Sequence, residues 1–248
     1  MRHTVYIGFF ILLLFTSCGR KSGRMVNNEI PTQDYSSQRS TNQTVSKDKP
    51  NRTQNTPLNA KIIMTGSEIF EKYDAAVFMV FTYDGTNVFQ GSGFVIRDDG
   101  IAVSNYHVFE GTGKGFEILK FSNGNTYNIK DVIAYDSDED IILFRIDANR
   151  IRFPFIPMSS IAPRVGEDVY AIGSPLGLEN TFSSGEISQL RGYDLIQINV
   201  PIDHGSSGGA LINKYGEAIG ITTAGIDGSG ANLNFAININ VIRKYLLK

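Results

Sequence analysis

The sequence predicts an all-β fold, a barrel or a sandwich, over roughly its last 180 residues. Short apolar runs of strand length recur there, separated by turn signals such as DDG, SNGN and NKYG, and glycine is plentiful. Many short strands at this spacing are typical of all-β architectures, and a segment of this length can bury a sizeable core. The predicted strands are residues 77–83, 94–96, 101–103, 141–146, 169–172, 195–200 and 218–223.

Helix is predicted only at the two ends of this segment. Thr65, followed three residues later by Glu68, has the pattern of a capping box, in which each side chain binds the other residue's backbone N–H. We therefore expect a short helix that ends near Tyr73. The amphipathic residues 240–248 predict one or two further helical turns at the other end.

Residues 1–17 have the pattern of a signal peptide. Arg2 precedes the apolar run 5–15, which is too short to span a bilayer and has the length of a signal-peptide core. Cys18, the only cysteine of the chain, follows this core as the lipid-acceptor cysteine does in bacterial lipoproteins. Phe15 stands where the strictest lipoprotein pattern has leucine, so a cysteine there by chance is the alternative. We expect cleavage before Cys18 and a diacyl membrane anchor on it.

Residues 18–64 predict a disordered polar tether. They are rich in Ser, Thr, Asn, Gln, Lys and Arg, a composition that cannot bury enough surface to fold alone. A stalk for an anchored domain and a plain spacer both fit this composition. Residues 65–248 form the predicted folded domain. This domain contains no cysteine, so its stability comes from the apolar core and not from disulfides.

Composition excludes several classes of function. The formal net charge is -2 and the folded segment has no basic cluster, so the electrostatic footprint of a nucleic-acid-binding protein is missing. Two usable histidines that lie far apart, without a cysteine in the domain, fall short of a zinc set. We therefore expect no nucleic acid partner, no metal and no cofactor.

The stretch 203–211, DHGSSGGAL, places the hydroxyl of Ser207 in a glycine-rich turn between apolar strands. A serine becomes a nucleophile only with a base to take its proton and with donors for the oxyanion, which backbone N–H groups in such a turn can supply. Of the three histidines, His3 lies in the leader, and His204 lies in the same turn, where its ring is expected to face solvent or substrate. His107, at the end of a predicted strand, is the candidate base; an ordinary structural histidine is the alternative.

Such a base needs a carboxylate that fixes its tautomer and stabilises the imidazolium. The segment DSDEDIILFRI offers the acidic side chains. Only Asp140 directly precedes the apolar strand 141–146, so it is the one drawn into the protein. The acidic residues before it, Asp136, Asp138 and Glu139, are expected to stay solvated. The candidate triad is His107, Asp140 and Ser207.

Several motifs follow one another in an order that is informative as a set. They are GSGFVIRDDGIAVSNYHVFEG around His107, DEDIILFRI around Asp140, VGEDVYAIGSPLGLENTFSSGEIS, and then HGSSGGALIN, GEAIGITTAG and NFAI. Each is weak alone, and a glycine-rich hairpin turn is the alternative for the serine loop. Together, over about residues 69–248, they resemble trypsin-fold serine proteases of the bacterial HtrA (DegP-like) type.

For fold and location, the resemblance implies two six-stranded antiparallel β-barrels of the trypsin-like type, at about residues 75–155 and 161–239, with the active site in the cleft between them. It implies export to the bacterial cell envelope, where the anchor would hold the domain facing the periplasm or the cell surface. Members of this type often continue into PDZ domains and form trimers. Because the sequence ends at Lys248, we expect no PDZ domain. Whether the chain forms a homo-oligomer stays open, because the residues that make the N-terminal contacts of the family's trimer are not recognisable in this sequence.

For the chemistry, the resemblance implies His107 as general base and acid, Asp140 as its orienter and Ser207 as nucleophile. The backbone N–H groups of Gly205 and Ser207 would form the oxyanion hole. The expected activity is that of a serine endopeptidase that hydrolyses peptide bonds through an acyl-enzyme, on unfolded or exposed envelope proteins. A proteolytically silent peptide-binding protein and a dedicated processing protease with one partner are the alternatives.

The resemblance also suggests the specificity pocket, a mostly small and apolar set that suits a small aliphatic side chain before the scissile bond. The substrate-binding residues would be Asp203, His204, Thr222, Thr223, Ala224 and Gly225. The family usually has asparagine in place of both Asp203 and Ser206. Asp203 either favours a basic residue in the substrate or caps the turn, and Ser206 bears on how stably the oxyanion loop holds its active form.

Overall fold

The computed structural model describes residues 61–174, 180–225 and 233–246, all of which lie in one compact unit. The predicted signal peptide, Cys18 and the predicted tether up to residue 60 lie outside the described residues. No helix in the described ranges has both the length and the apolar character needed to cross a membrane.

Two antiparallel β-sheets form the body of this unit, as the sequence predicts. The first sheet contains β1 (Val77–Tyr83), β2 (Val88–Val95), β3 (Ile101–Ser104), β4 (Glu117–Phe121), β5 (Thr126–Tyr127), β6 (Ile129–Asp136) and β7 (Ile141–Ile146). Its strand order is β5-β4-β1-β2-β3-β7-β6. The sheet has seven strands and not the expected six, because Asn128 separates β5 from β6. The Asn128 side-chain amide donates to the Glu117 carbonyl at 2.8 Å.

The second sheet closes into a six-stranded barrel. It contains β8 (Asp168–Gly173), β9 (Thr181–Arg191), β10 (Leu195–Ile198), β11 (Ala210–Asn213), β12 (Ala218–Gly225) and β13 (Asn234–Asn238). The order around the barrel is β10-β13-β12-β11-β8-β9. Closure pairs every strand on both sides, so no backbone edge is left open.

Two short α-helices lie at the ends, where the sequence predicts them. Helix α1 (Gly66–Tyr73) begins with the predicted capping box: the Thr65 hydroxyl accepts the Glu68 N–H, and the Glu68 carboxylate accepts the Thr65 N–H at 2.7 Å. That N–H holds the pKa of the Glu68 carboxyl below its ordinary value. Helix α2 (Arg243–Leu246) follows a 3-10 turn at Ile239–Ile242.

Apolar side chains form three buried clusters. One, with Phe78 and Phe144, lies inside the first sheet, and another, with Ile187 and Ile198, lies inside the second barrel. The largest draws side chains from both sheets and includes Ile69 of α1. The two sheets and the N-terminal helix therefore share this largest cluster.

Replacing Phe144 by alanine should lower the free energy of unfolding by about 3–5 kcal/mol, because the fully buried ring packs against Phe78 and Phe109 and its removal leaves a cavity. Urea unfolding measures the loss. Phe116→Ala is the matched control, since that ring is 59% exposed and its removal should cost less than ~1 kcal/mol. Equal losses in the two variants would contradict this description of the core.

Candidate active site

His107 and Asp140 lie side by side because their strands are neighbours. Strand β3 pairs antiparallel with β7, with Ser104 opposite Ile142, so the turn that leaves β3 lies beside the residue that enters β7. His107 Nδ1 lies 2.8 Å from Asp140 Oδ2, and the His107 backbone N–H donates to Asp140 Oδ1 at 2.9 Å. The carboxylate therefore holds both the ring and the main chain of the histidine.

This contact determines which ring nitrogen is free. An ionised carboxylate only accepts hydrogen bonds, so Nδ1 of His107 carries the proton and Nε2 keeps a lone pair. The His107 side chain is 45% exposed and that of Asp140 is 28% exposed. The free nitrogen can therefore reach a ligand while the carboxylate behind it stays largely covered.

Asp140 adopts a backbone conformation that few residues adopt. Its φ is 50°, in the left-handed region, which aspartate tolerates better than most residues. Its carbonyl accepts the Tyr106 N–H at 3.2 Å and the Asn105 side-chain amide at 3.0 Å. These bonds, with those of its carboxylate, hold the residue in a conformation that it would otherwise leave.

Ser207 lies in the loop between β10 and β11 and shares a cleft of about 220 Å³ with His107. In the part of the chain that the structure describes, the Ser207 hydroxyl has no hydrogen-bond partner, so the bond to the histidine ring is not formed. Such bonds are often long in the absence of substrate and shorten when it binds. The remaining residues that line the cleft are Ile202, Asp203, His204, Thr223 and Gly225.

The turn before Ser207 presents two free backbone donors. The Ser206 N–H donates to the Asp203 carbonyl at 2.9 Å, and Gly205, the third residue of the turn, has a φ of 92°, as a type II turn requires. A Cβ on Gly205 would also lie 2.8 Å from the Gln90 side-chain amide. Neither the Gly205 N–H nor the Ser207 N–H donates to another described residue.

One buried serine joins this turn to the first sheet. The Ser92 hydroxyl donates to the Gly205 carbonyl at 2.7 Å and accepts the Ser174 N–H at 2.9 Å. The Ser92 N–H donates to the Ser207 carbonyl at 2.7 Å, and the Ser92 carbonyl accepts the Ser104 hydroxyl at 2.7 Å. We call these five residues the seam, because Ser92 and Ser104 belong to the first sheet and the other three to the second barrel.

The seam leaves no room for a side chain beside it. Gly208, directly after the serine, has a φ of 90°, and a Cβ there would lie 2.1 Å from the Ser92 carbonyl oxygen. Only glycine fits that position. The glycine after Ser207 is therefore required by the approach of β2.

Thr222 has a different position from the one expected of a substrate-binding residue. It is buried, and its hydroxyl donates to the Ser206 carbonyl at 2.7 Å, so it holds the serine loop and does not line the cleft. The Ser206 carbonyl also accepts the Gly209 N–H. These two bonds hold Ser206, which stands where the family usually has asparagine. Thr223 lines the cleft and donates its hydroxyl to Asp140 Oδ2 at 3.3 Å. The side chain of Ala224 lies outside the described residues.

The other expected pocket residues lie in the cleft. Asp203 and His204 are exposed there, and the Asp203 carboxylate accepts the His204 N–H at 2.9 Å. The carboxylate is thus engaged with its own turn. Among residues 61–174, 180–225 and 233–246, no three His, Cys, Asp or Glu side chains are grouped as metal ligands.

Sequence reasoning missed the role of Ser92 and the bond from Thr223 to Asp140. Ser92 stands between two glycines in β2, and glycines inside a strand often mark a close approach of another backbone. That signal could have indicated a contact at this point of the strand. Nothing in the sequence indicates that the partner is the serine loop.

Comparison with other proteins gives consistent matches. The model of the family described as trypsin-like peptidase domain matches residues 91–221. The chain is 38% identical over 175 residues to Protease Do-like 1, chloroplastic, of Arabidopsis thaliana, and 36% identical over 159 residues to the probable periplasmic serine endoprotease DegP-like of Chlamydia trachomatis. The alignments cover 65% and 60% of this chain but 39% and 31% of those proteins. The chain therefore spans well under half the length of these relatives.

Solved structures of the same type share the fold. The serine endoprotease from Yersinia pestis superposes with a TM-score of 0.65 and 28% identity, covering 74% of this chain and 65% of that one. The HtrA-type protease AlgW, solved with a tripeptide, superposes with a TM-score of 0.66 and 26% identity, covering 74% and 62%.

Removing the Ser92 hydroxyl should slow the reaction of Ser207 with an activated ester about tenfold, a loss of roughly 1.4 kcal/mol, because the turn that carries the two free N–H groups loses its bond to β2. Ser92→Ala should also lower the free energy of unfolding by about 1–3 kcal/mol, since the Gly205 carbonyl and the Ser174 N–H lose a partner. Stopped-flow acylation and urea unfolding measure the two effects.

The matched control is Ser184→Ala, at an exposed position of β9. It should leave both quantities unchanged. If Ser92→Ala loses stability but reacts at the parent rate, the seam supports the fold and does not position the turn.

Proposed function

This chain belongs to the trypsin-like peptidase family as an HtrA-like member, and on that premise we propose that it is a serine endopeptidase acting on unfolded or exposed proteins. The observation that carries the proposal is that His107, held by Asp140 at 2.8 Å, lines one cleft with Ser207. A hydroxyl and an oriented base in one cleft, next to a turn with unbonded backbone N–H groups, are the groups that acyl transfer requires.

The proposed reaction begins with attack of Ser207 Oγ on the peptide carbonyl carbon while His107 Nε2 takes the hydroxyl proton. Asp140 stabilises the imidazolium that forms. The oxyanion of the tetrahedral intermediate accepts hydrogen bonds from the N–H groups of Gly205 and Ser207. His107 then protonates the leaving amine as the C–N bond breaks, and a water molecule repeats the sequence on the acyl-enzyme.

A silent peptide-binding protein fits the site less well. Loss of catalysis in this architecture would be expected to follow from a missing triad residue or from a turn whose N–H groups are blocked. The sequence supplies all three residues, His107 contacts Asp140, and the Gly205 N–H donates to no other described residue. These features favour catalysis over capture alone. A dedicated processing protease would use the same residues. Trapping of a single partner protein by an inactive variant would identify this function.

We also propose that the protein is located in the cell envelope. The pattern of residues 1–17 and Cys18 suggests a lipid-anchored protein of the cell envelope, and a relative from Chlamydia trachomatis is named as periplasmic. Residues 61–64, at the end of the proposed tether, contact the second barrel: the Met64 N–H donates to the Lys214 carbonyl and Lys61 pairs with Glu217. The proposed tether would thus enter the protease domain on the side of the second barrel.

Ser207→Ala should abolish cleavage of unfolded casein, with a loss of at least about 10³-fold in kcat/KM, because it removes the proposed nucleophile that forms the acyl-enzyme. Release of labelled peptides measures it, and Ser184→Ala, which removes an exposed hydroxyl that does not line the cleft, is the control that should cleave at the parent rate. Cleavage by Ser207→Ala at the parent rate would disprove the assignment.

The cleft should favour a small aliphatic side chain before the scissile bond, because Ile202, Thr223 and Gly225 line it and the Asp203 carboxylate is engaged with its own turn. A peptide library with this position varied measures the preference. Asp203→Asn should retain the same order of substrates, with kcat/KM within about threefold of the parent. A preference for Lys or Arg that disappears in Asp203→Asn would instead make Asp203 the residue that selects the substrate.

A further inference from the structure

The turn that carries Asp140 is held by the C-terminal helix. The Tyr245 hydroxyl of α2 donates to Asp136 Oδ2 at 2.9 Å, and Lys244 Nζ lies 2.7 Å from Glu139 Oε2. We call these four residues the C-terminal clamp. The sequence predicts that Asp136 and Glu139 stay solvated; both are partly exposed, and both also bind a helix more than a hundred residues away.

Asp136 forms hydrogen bonds both within the turn and to α2. Its Oδ1 accepts the backbone N–H groups of Asp138 and Glu139, each at 3.0 Å, while its Oδ2 accepts the Tyr245 hydroxyl. The Glu139 N–H, and after it the Tyr245 hydroxyl, hold the pKa of the Asp136 carboxyl below its ordinary value. One carboxylate therefore shapes the turn from inside and joins it to α2.

The turn needs such support because of its last residue. Asp140 has a φ of 50°, which costs conformational energy in any residue other than glycine. Its carboxylate must nevertheless stay within hydrogen-bond distance of the His107 ring and the Thr223 hydroxyl. If the turn relaxes at Glu139, the next residue rotates and its carboxylate leaves the ring.

Helix α2 and the 3-10 turn before it are packed against the core. The 3-10 turn that leads into it buries Val241 and Ile242, and Tyr245 and Leu246 pack against the core cluster shared by both sheets. The same segment continues directly from β13 of the second barrel. The clamp therefore connects the aspartate turn of the first sheet to the segment that follows β13 and to the core cluster shared by both sheets.

We propose that Tyr245 is a positioning residue for the reaction: through Asp136 it holds the turn 136–140 so that Asp140 keeps the His107 ring in the orientation that activates Ser207. The inference rests on the proposed function. Tyr245 does not line the cleft; its hydroxyl contacts Asp136 and, at 3.4 Å, Glu139, and it contacts no residue of the triad. Its effect on the reaction must therefore pass through the turn.

Tyr245→Phe, which removes only the hydroxyl, tests the inference. With a peptide substrate, kcat should fall about fivefold or more while KM stays within about twofold, because the loss affects the orientation of the base and not the binding of substrate. The matched control is Tyr193→Phe: that ring is 73% exposed beside α2, and its hydroxyl has no partner among the described residues. The control should keep the parent kcat.

A double-mutant cycle identifies the route. Asp136→Asn should lower kcat as well, and the double variant Asp136→Asn with Tyr245→Phe should lose no more than the more severe single variant, because both changes break one connection. Fully additive losses would mean that Tyr245 does not act through Asp136 and would overturn the inference.

A readout that needs no turnover separates this inference from the proposed function. The low-field NMR resonance of the His107 Nδ1 proton reports its bond to Asp140, and Tyr245→Phe should shift or broaden it whereas Tyr193→Phe should not. If the parent hydrolyses no peptide, the proposed function fails, and the resonance still decides the role of the clamp. An unchanged resonance, or a parent kcat in Tyr245→Phe, overturns the inference even if Tm falls.

Discussion

The contact of Ser92 with the serine loop is the constraint on which the rest of the site depends. The proposed base His107 and its carboxylate Asp140 belong to the first sheet, and the proposed nucleophile Ser207 belongs to the second barrel, so neither half would contain the reaction by itself. Ser92 binds the carbonyl groups on both sides of Ser206, each at 2.7 Å, from a fully buried position. Because buried backbone groups must find partners, this arrangement fixes the distance between the two halves.

Asp140 is the second point at which the halves meet. Its carboxylate accepts bonds from the His107 ring in the first sheet and from the Thr223 hydroxyl in the second barrel. The turn before it is held by α2, which follows the last strand of the second barrel. The orientation of the histidine ring therefore depends on the packing of both sheets, although His107 and Asp140 come from neighbouring strands.

Local patterns predicted the elements that are buried or bounded by a clear signal. Strands β1 and β7 have the predicted bounds because their residues are almost all buried and apolar, and the capping box placed α1. Strands β4, β5, β6, β9, β11 and β13 were not predicted. For β6 and β9 the reason is physical: most of their residues are exposed, so they have no apolar periodicity, and pairing with neighbours decides their conformation.

The site shows the same division. Chemistry and chain order indicated His107, Asp140 and Ser207, but the groups that hold them were not predictable. Ser92 and Gly205 are 113 residues apart and Asp136 and Tyr245 are 109 apart, so each bond exists only in the folded chain. The central claim is that His107, oriented by Asp140, activates Ser207 across the seam. Mass spectrometry after brief exposure to a fluorophosphonate tests it most directly. A single adduct on Ser207 that is lost in His107→Ala is the predicted result, and an adduct on another residue, or equal labelling of Ser207 in His107→Ala, would contradict the claim.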